Sequence, residues 1–395
     1  MKAVVLLKVC IIKESLCIGG TQRSAAGISR ALSEEHEVFT MLFDETVIHY
    51  PYGGTLVGLH SPPRPTPAGK VWNSFVRSAR QREFLLKEKI DIAFLFTAIH
   101  GYAILEKMPY CKKIISCRDF KGLQGNTALF AKALRHSDAI VFNSKYQKSY
   151  FDKRYPRLAE KTFMIYNIID TAEIERQSNE SVERAFIDFQ RNHTDTIISV
   201  GRFCSEKGFE HLLRSFDLLR ERRFGVGLIL VGDGVYRDAY TQIIRERGME
   251  RDVFFTGFQD NPHKYTAKCN LFVLSSLSEG FPNVVPEAMT CGLPVVCANC
   301  LSGPAEILNE RYDYSLAEDG FVECDYGLLT PAFGGGAAEN EIAEREMAAA
   351  MHRLLSDNAL RERYKRLSRL RAADFSQEAA LAGLDRVFDY VLGKA

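Results

Sequence analysis

Short apolar runs alternate with amphipathic segments along most of the chain. In the first half these runs lie at 3–7, 37–43, 91–96, 113–117, 139–143 and 163–167. Each is followed by a glycine-rich or polar turn and then by apolar residues at helical spacing. Because short buried strands that alternate with amphipathic helices are typical of parallel sheets, the pattern predicts an α/β domain with helices on both sheet faces.

The same pattern starts again after a charged interval at 171–193, which predicts a linker. Further apolar runs lie at 196–201, 227–232, 253–257, 271–276, 294–298 and 327–330. Two consecutive strand–helix series predict two Rossmann-like, doubly wound parallel-sheet domains that face a central cleft. The predicted domains span 1–170 and 194–375, and a last helix at 376–395 is able to cross back to the first domain.

Composition places the chain among globular proteins. It has 395 residues, of which 46% are hydrophobic and 26% are charged. Ten cysteines show no framework spacing, and the close pair Cys297 and Cys300 lacks the second pair that a zinc site needs. Lys8, Lys13 and Glu14 interrupt the first apolar run, and no run approaches the roughly 20 residues of a membrane span. We therefore expect a cytoplasmic protein with reduced thiols.

Charge is distributed unevenly between the two predicted domains. Residues 1–170 carry 25 Lys and Arg against 15 Asp and Glu, whereas the remainder carries 26 against 35. A basic first domain indicates an anionic surface or substrate. Nucleic acid is not expected as the partner, because the basic residues lack interleaved aromatic residues.

The segment 64–89 is the most basic stretch, with seven basic residues against two acidic ones. It places Trp72, Phe75 and Val76 at helical spacing. One interpretation is an interfacial helix on anionic lipid, which would make the protein peripheral on the cytoplasmic face of a membrane. The other is a solvated helix whose Trp72 face packs on the sheet. The sequence leaves both open.

The turn VGRFCSEKG at 200–208 is the first candidate for chemistry. It follows a predicted strand, leads into a predicted helix, and carries Arg202 and Lys207. Two cations beside a helix N-terminus oppose the usual preference for acids there, so they indicate an anion with more than one charge between them. A guanidinium and an ammonium together suit a diphosphate. The alternative is two solvated surface cations.

The stretch EGFPNVVPEAMTCGLPVV at 279–296 is the second candidate. Asn283 is placed as the N-cap of a helix that ends before Gly292. Glu279 then lies just before the helix, and Glu287 lies about one turn inside it. Since one carboxylate accepts two O–H donors, one glutamate is suited to a ribose and the other to a hexose.

These segments together, GRFCSEKG, LVGDG and SEGFPNVVPEAMTCGLPVV, resemble the donor domain of retaining glycosyltransferases of family 4, which have the GT-B fold. The resemblance covers most of 195–375 and reaches the first domain through IGGTQRS at 18–24. It implies transfer of a hexose or N-acetylhexosamine from a nucleotide sugar, expected to be a UDP sugar. The segments at 302–308 and 326–331 resemble a subgroup that acts on bacterial lipid-linked or surface polysaccharide acceptors.

The resemblance also implies residue roles. Arg202 and Lys207 neutralise the leaving diphosphate, Glu279 lies beside the donor sugar and the reacting face, and Glu287 takes the ribose hydroxyls. The other implied donor-binding residues are Gly19, Gly20, Gly201, Gly280, Phe281, Pro282 and Asn283. The implied acceptor or cleft residues are Arg23, His100 and Arg118, with an ordinary loop histidine as the alternative for His100.

No metal or other cofactor is expected, because the chain contains no D-x-D motif and two cations are available for the diphosphate. Two other functions remain open: an isomerase of the UDP-sugar 2-epimerase kind and a nucleotide-sugar-binding protein without turnover. A glycosidase also uses two carboxylates, but it would not need a diphosphate turn on two Rossmann-like domains.

Overall fold

The computed structural model describes residues 6–62, 65–96, 110–118, 134–311, 313 and 315–394. The chain divides into two compact units. The first comprises Met1–Ile168 and Gln377–Ala395, and the second comprises Ile169–Ser376. Each unit is built on a sheet of its own. The sequence prediction of two Rossmann-like parallel-sheet domains is confirmed.

The described strands of the first unit lie in the order β3-β2-β1-β4-β5-β6-β7, and all neighbours run parallel. These strands are β1 Lys8–Lys13, β2 Glu37–Leu42, β3 Thr55–Gly58, β4 Ile92–Leu95, β5 Lys112–Cys117, β6 Ala139–Phe142 and β7 Thr162–Met164. The described helices are α1 Gly20–Leu32, α2 Pro67–Lys87, α3 Lys145–Arg154 and, from the chain end, α13 Gln377–Val391. Edge strand β3 has no fully buried residue, which explains why no apolar run predicted it.

The first strand differs from the prediction. It was expected at 3–7, of which 3–5 lie outside the described residues, but β1 occupies Lys8–Lys13. Its register with β2 pairs Lys8 with Glu37, and the Lys8 Nζ lies 3.4 Å from a Glu37 carboxylate oxygen. The two lysines therefore stand at the ends of the strand, where polar groups find partners, and the apolar residues between them are buried.

Helices cover both faces of the first sheet. Ile11 and Phe94 on one face pack in a cluster with Leu384 and Phe388 of the final helix α13. Leu85 of α2 belongs to the cluster on the other face. Because every residue of β4 and β6 is buried, these strands read as continuous apolar runs in the sequence.

The second unit contains a sheet with the described order β10-β9-β8-β11-β12-β14-β13, in which only β13 runs antiparallel. Its strands are β8 Asp195–Val200, β9 Val226–Val231, β10 Val253–Gly257, β11 Leu271–Leu274, β12 Val295–Ala298, β13 Val322–Glu323 and β14 Leu328–Thr330. Its helices are α4 Thr171–Ser178, α5 Arg184–Arg191, α6 Phe209–Arg222, α7 Arg237–Glu246, α8 His263–Thr266, α9 Val284–Thr290, α10 Pro304–Leu308, α11 Ala337–Ser356 and α12 Asn358–Ala373.

The interval 171–193, which was expected as a linker, forms helices α4 and α5 of the second unit. Ile174 and Phe186 are buried, and the Phe186 ring packs edge-on against Tyr265 at 5.1 Å. The segment is therefore charged on one side and apolar on the other. None of the helices that the structure describes is both long enough and apolar enough to cross a membrane.

Candidate functional site

Two loops meet at the carboxyl edge of the second sheet. The first, 201–208, joins β8 to α6, and the second, 275–283, joins β11 to α9. Since β8 and β11 are parallel neighbours, both loops leave the sheet at the same edge. Backbone N–H groups at helix starts converge at such an edge, which makes it the expected place for a ligand in this fold.

Hydrogen bonds to backbone carbonyls join these two loops. The Ser275 hydroxyl donates to the carbonyl of Lys207 over 3.0 Å. The Leu277 N–H donates to the carbonyl of Glu206 over 2.9 Å. Between them Gly208 adopts a left-handed conformation with φ 60°, and a Cβ there would lie 2.2 Å from the Ser275 carbonyl oxygen. Only glycine allows this approach, so the sequence signal is the glycine that closes VGRFCSEKG.

An ion pair joins the loops through their side chains. The Lys207 Nζ donates to the Glu279 Oε1 over 2.6 Å, and the Ser276 hydroxyl donates to the same oxygen over 2.6 Å. The Lys207 and Glu279 side chains are 24% and 11% exposed to solvent. Burial lowers the pKa of Lys207, but the carboxylate of Glu279 outweighs it and the pKa is raised overall. Lys207 is therefore a cation at neutral pH.

The backbone at Glu279 is held by a third loop, 301–303. The Glu279 N–H donates to the carbonyl of Leu301 over 3.0 Å, and its own carbonyl accepts from the Ser302 N–H over 2.7 Å. The Ser302 hydroxyl also donates to the carbonyl of Gly280 over 2.8 Å. These bonds fix the backbone on both sides of Glu279, while Lys207 and Ser276 hold its carboxylate.

Helix α9 begins where the sequence predicted. Asn283 occupies its N-cap position, although the Asn283 side chain makes no capping hydrogen bond, and Gly292 follows the last turn with φ 79°. Glu287 lies in the first turn and is 3% exposed. Before the helix, the buried Phe281 ring packs edge-on against Phe375 at 5.4 Å. The two glutamates are thus at the start of one helix, with Glu287 the more deeply buried.

Arg202 is not part of the Lys207–Glu279 pair. Its side chain is exposed and, among the described residues, forms no hydrogen bond or ion pair. The next residue, Phe203, is fully buried, and its N–H donates to the carbonyl of Asp233 over 2.8 Å. The start of this turn lies close to the loop that follows β9. A Cβ at Gly232 would lie 1.9 Å from the Gly201 carbonyl oxygen.

The predicted first-domain residues lie in the other unit. Gly19 is the N-cap of α1, and its N–H donates to the Tyr50 hydroxyl over 3.3 Å. Gly20 is exposed, and Arg23 is half-buried in the same first turn, which contains no acidic residue. Arg118 is buried immediately after β5. His100 lies outside the described residues.

Sequence reasoning missed Gly208, Ser276 and Ser302 as residues that shape this site. Ser276 could have been found from the sequence, because it lies three residues before Glu279 in the same loop. No local feature of the sequence indicated Ser302, since its partners at Glu279 and Gly280 are more than 20 residues away in the chain. As for metals, the described residues contain no group of three His, Cys, Asp or Glu side chains that could hold an ion.

Comparison with known proteins supplies the class. The model of "Glycosyl transferases group 1" matches residues 183–323, and the model of "Glycosyltransferase Family 4" matches residues 18–173. The site described above lies within the first match. Together with the two parallel sheets, these matches define a glycosyltransferase of the GT-B class. In particular, residues 18–173 are similar to the family 4 glycosyltransferases, and residues 183–323 are similar to glycosyl transferases of group 1.

Two relatives show how far the likeness extends. An uncharacterized glycosyltransferase of Methanocaldococcus jannaschii is 30% identical over 62% of this chain and 61% of its own length. The N-acetylgalactosamine-N,N'-diacetylbacillosaminyl-diphospho-undecaprenol 4-alpha-N-acetylgalactosaminyltransferase of Campylobacter jejuni is 27% identical over 94% of this chain and 96% of its own length. The chain thus spans less than two thirds of the first relative and nearly all of the second.

Solved structures share the fold. HepE of Anabaena in complex with UDP has a TM-score of 0.72 at 18% identity, with 97% of this chain and 100% of HepE covered. Sucrose-phosphate synthase of Thermosynechococcus elongatus also has a TM-score of 0.72, at 17% identity, with 98% of this chain and 100% of the synthase covered.

The left-handed glycine at the loop junction gives a first testable prediction. Gly208→Ala should destabilise the second unit by about 2–4 kcal/mol, because it adds a clash with the Ser275 carbonyl to the cost of a left-handed alanine. Gly248→Ala is the matched control: Gly248 has the same φ of 60° and open space around its Cβ position. It should lose only about 1–2 kcal/mol. Denaturant unfolding measures both, and equal losses would contradict the described loop contact.

Proposed function

We propose that this protein is a retaining glycosyltransferase that moves a hexose or N-acetylhexosamine from a nucleotide sugar, UDP-linked, to a glycan or lipid-linked acceptor. The observation that carries the proposal is the Lys207–Glu279 pair at the carboxyl edge of the second sheet, fixed by Ser276 and by the neighbouring loops. A charged lysine held at the end of a parallel strand is suited to a ligand with a leaving diphosphate.

The proposed chemistry follows the movement of charge. Breaking the bond between the anomeric carbon and the leaving oxygen increases the negative charge on the diphosphate. Lys207 meets that charge as a preorganised cation, and the exposed Arg202 supplies a second one. Glu279 orients Lys207 and lies beside the sugar, while Glu287 and the backbone of Gly280 and Phe281 bind the nucleotide. Neutralisation by two side chains makes the proposed transfer independent of metal.

The choice of donor and acceptor rests on similarity. The structural neighbour HepE was solved in complexes with UDP, with UDP and glucose, and with UDP-glucose. The Campylobacter relative is named for an acceptor linked to diphospho-undecaprenol, and other relatives are lipopolysaccharide core biosynthesis glycosyltransferases of Rhizobium meliloti. These likenesses favour a UDP sugar as donor and a lipid-linked or polysaccharide acceptor. The ten free cysteines favour a cytoplasmic location.

A panel of UDP and GDP sugars tests the proposal directly. Purified protein should release UDP from one donor, faster with an acceptor present and at an unchanged rate in EDTA. The new linkage in the product, read by NMR, should keep the anomeric configuration of the donor. Conversion of the donor to its epimer without an acceptor would support the isomerase instead, and tight UDP binding without turnover would support a binding protein.

Variants of the site give a second prediction. Lys207→Ala, Arg202→Ala and Glu279→Ala should each lower UDP release by about 100-fold or more, because each removes a charge that acts on the leaving diphosphate or orients its partner. Arg222→Ala, at the exposed end of α6, is the control and should leave the rate unchanged. Circular dichroism verifies folding. Undiminished rates in the folded Lys207 and Glu279 variants would refute the proposed site.

We also propose that helix α2 places the protein on an anionic membrane surface. Val71, Trp72 and Phe75 are 58%, 60% and 71% exposed, so the Trp72 face does not pack on the sheet. Exposed Arg82 and Lys87 lie on the same helix. A helix that carries both exposed aromatic residues and exposed basic ones is suited to the interface of an anionic bilayer, where the rings enter the headgroup region and the cations contact phosphate.

Liposome flotation tests this contact. The wild-type protein should float with vesicles that contain anionic phospholipid at low salt, and much less with neutral vesicles or at high salt. Trp72→Ser combined with Phe75→Ser should abolish flotation. Phe224→Ser is the matched control, because Phe224 is 89% exposed in the other unit. Absence of flotation by the wild-type protein would end the membrane proposal without affecting the transferase site.

A further inference from the structure

A buried arginine of the first unit has no acidic partner among the residues that the structure describes. Arg118 follows β5 and is 4% exposed. Its Nε donates to the Ser116 hydroxyl over 2.7 Å, and its Nη1 donates to the Asn167 side-chain oxygen. The guanidinium carbon lies 5.2 Å from the centroid of the Phe96 ring. All of these partners are neutral, so they orient the cation but do not neutralise it.

The other buried cations of the described residues differ from Arg118. Arg371 forms an ion pair with Asp374 over 2.8 Å, and the Lys13 Nζ lies 3.8 Å from a Glu14 carboxylate oxygen. Arg118 has no such partner, and its Nη2 is buried without a hydrogen bond. Burial lowers the pKa of Arg118 to about 9. Because an unpaired buried charge is costly, its retention calls for a role beyond packing.

The location of Arg118 points to a ligand. Strands β5 and β6 pair Cys117 with Phe142, so Arg118 and Asn143 follow at the same level of the carboxyl edge. Asn143 is 2% exposed, and its side-chain oxygen also lacks a hydrogen-bond donor. In doubly wound folds this edge is the ligand-binding edge. A sugar phosphate fits these two groups. Its phosphate oxygens accept from the Arg118 guanidinium, and its sugar hydroxyls donate to the Asn143 side-chain oxygen.

Other groups with positive charge lie at the same edge of the sheet. Asn167, which accepts from Arg118, also accepts from the Ser24 hydroxyl over 3.3 Å, and Ser24 belongs to the N-terminal part of α1. That helix has 13 residues and no acidic residue in its first turn, so its positive end is not compensated there. Lys13, a second buried cation, ends strand β1 at the same edge. A planar guanidinium in such a field matches the geometry of phosphate oxygens.

We propose that Arg118 binds a phosphate group of the acceptor. This inference rests on the proposed function and deepens it: the acceptor is a phosphorylated molecule, and the first unit recognises it through this group. The resemblance implied an acceptor or cleft role for Arg118, whereas Lys207 and Glu279 of the second unit are the proposed donor residues. Its Nη2 supplies the direct contact, while Ser116 and Asn167 hold the guanidinium in place.

Calorimetry on the full-length protein tests the inference with geranyl diphosphate, geranyl phosphate and geraniol as probes. The wild-type protein should bind the two phosphorylated probes and not geraniol. Arg118→Gln should weaken their binding roughly 10- to 100-fold, the range for a lost charge-assisted hydrogen bond. Arg118→Lys should retain part of the affinity. Arg154→Gln removes an exposed arginine of the same unit and should change nothing.

A second measurement, of UDP binding, distinguishes failure of this inference from failure of the proposed donor site. UDP should bind the wild type and Arg118→Gln equally; a matching loss of UDP affinity would assign Arg118 to the donor diphosphate and overturn the inference. If the wild type fails to bind UDP, the proposed donor site fails, and the comparison with phosphorylated probes still stands. Phosphorylated probes that bind the folded Arg118→Gln and Arg118→Lys variants as tightly as the wild type would overturn the inference outright.

Discussion

The salt bridge between Lys207 and Glu279 is the interaction on which the candidate site depends. It joins two loops from neighbouring parallel strands, and both members keep part of their exposure. Ser276 and Lys207 donate to the same carboxylate oxygen, and loop 301–303 holds the backbone of Glu279 on both sides. A lysine that is oriented and charged before any ligand arrives needs little reorganisation when negative charge develops near it, which is the basis of electrostatic catalysis.

The two units place their cations differently. In the second unit Lys207 has an acid partner, and Arg202 is exposed next to the buried Phe203. In the first unit Arg118 is buried against neutral groups and an aromatic ring. An exposed cation costs little to keep, whereas a buried unpaired one is costly and interacts strongly with an arriving anion. The two arrangements are consistent with the proposed leaving nucleotide and the proposed acceptor phosphate.

The surface of the first unit carries exposed aromatic residues on helix α2. Helix α2 turns Trp72 and Phe75 outward, although both would add to a core if the helix were rotated. Its inner face is occupied by buried Asn73 and Gln81 and by Leu85, which packs in the sheet cluster. The excess of basic residues in 1–170 lies on the unit that carries this helix. A membrane surface and a phosphorylated acceptor are chemically consistent partners for it.

The sequence by itself determined most of the strands, the two sheets and the ends of helix α9, because apolar runs, Asn283 and Gly292 encode them within a few residues. It misplaced β1 and did not indicate edge strand β3, which has no fully buried residue. It also placed Lys207 and Glu279 at loops that follow strands. Only the tertiary structure decided that Ser276 joins their ion pair, that Arg202 stays outside it, and that 171–193 packs as helices. Those outcomes depend on contacts such as the one between Ser275 and Lys207, 68 positions apart. Burial of a side chain is a property of its neighbours in space, which local sequence does not contain.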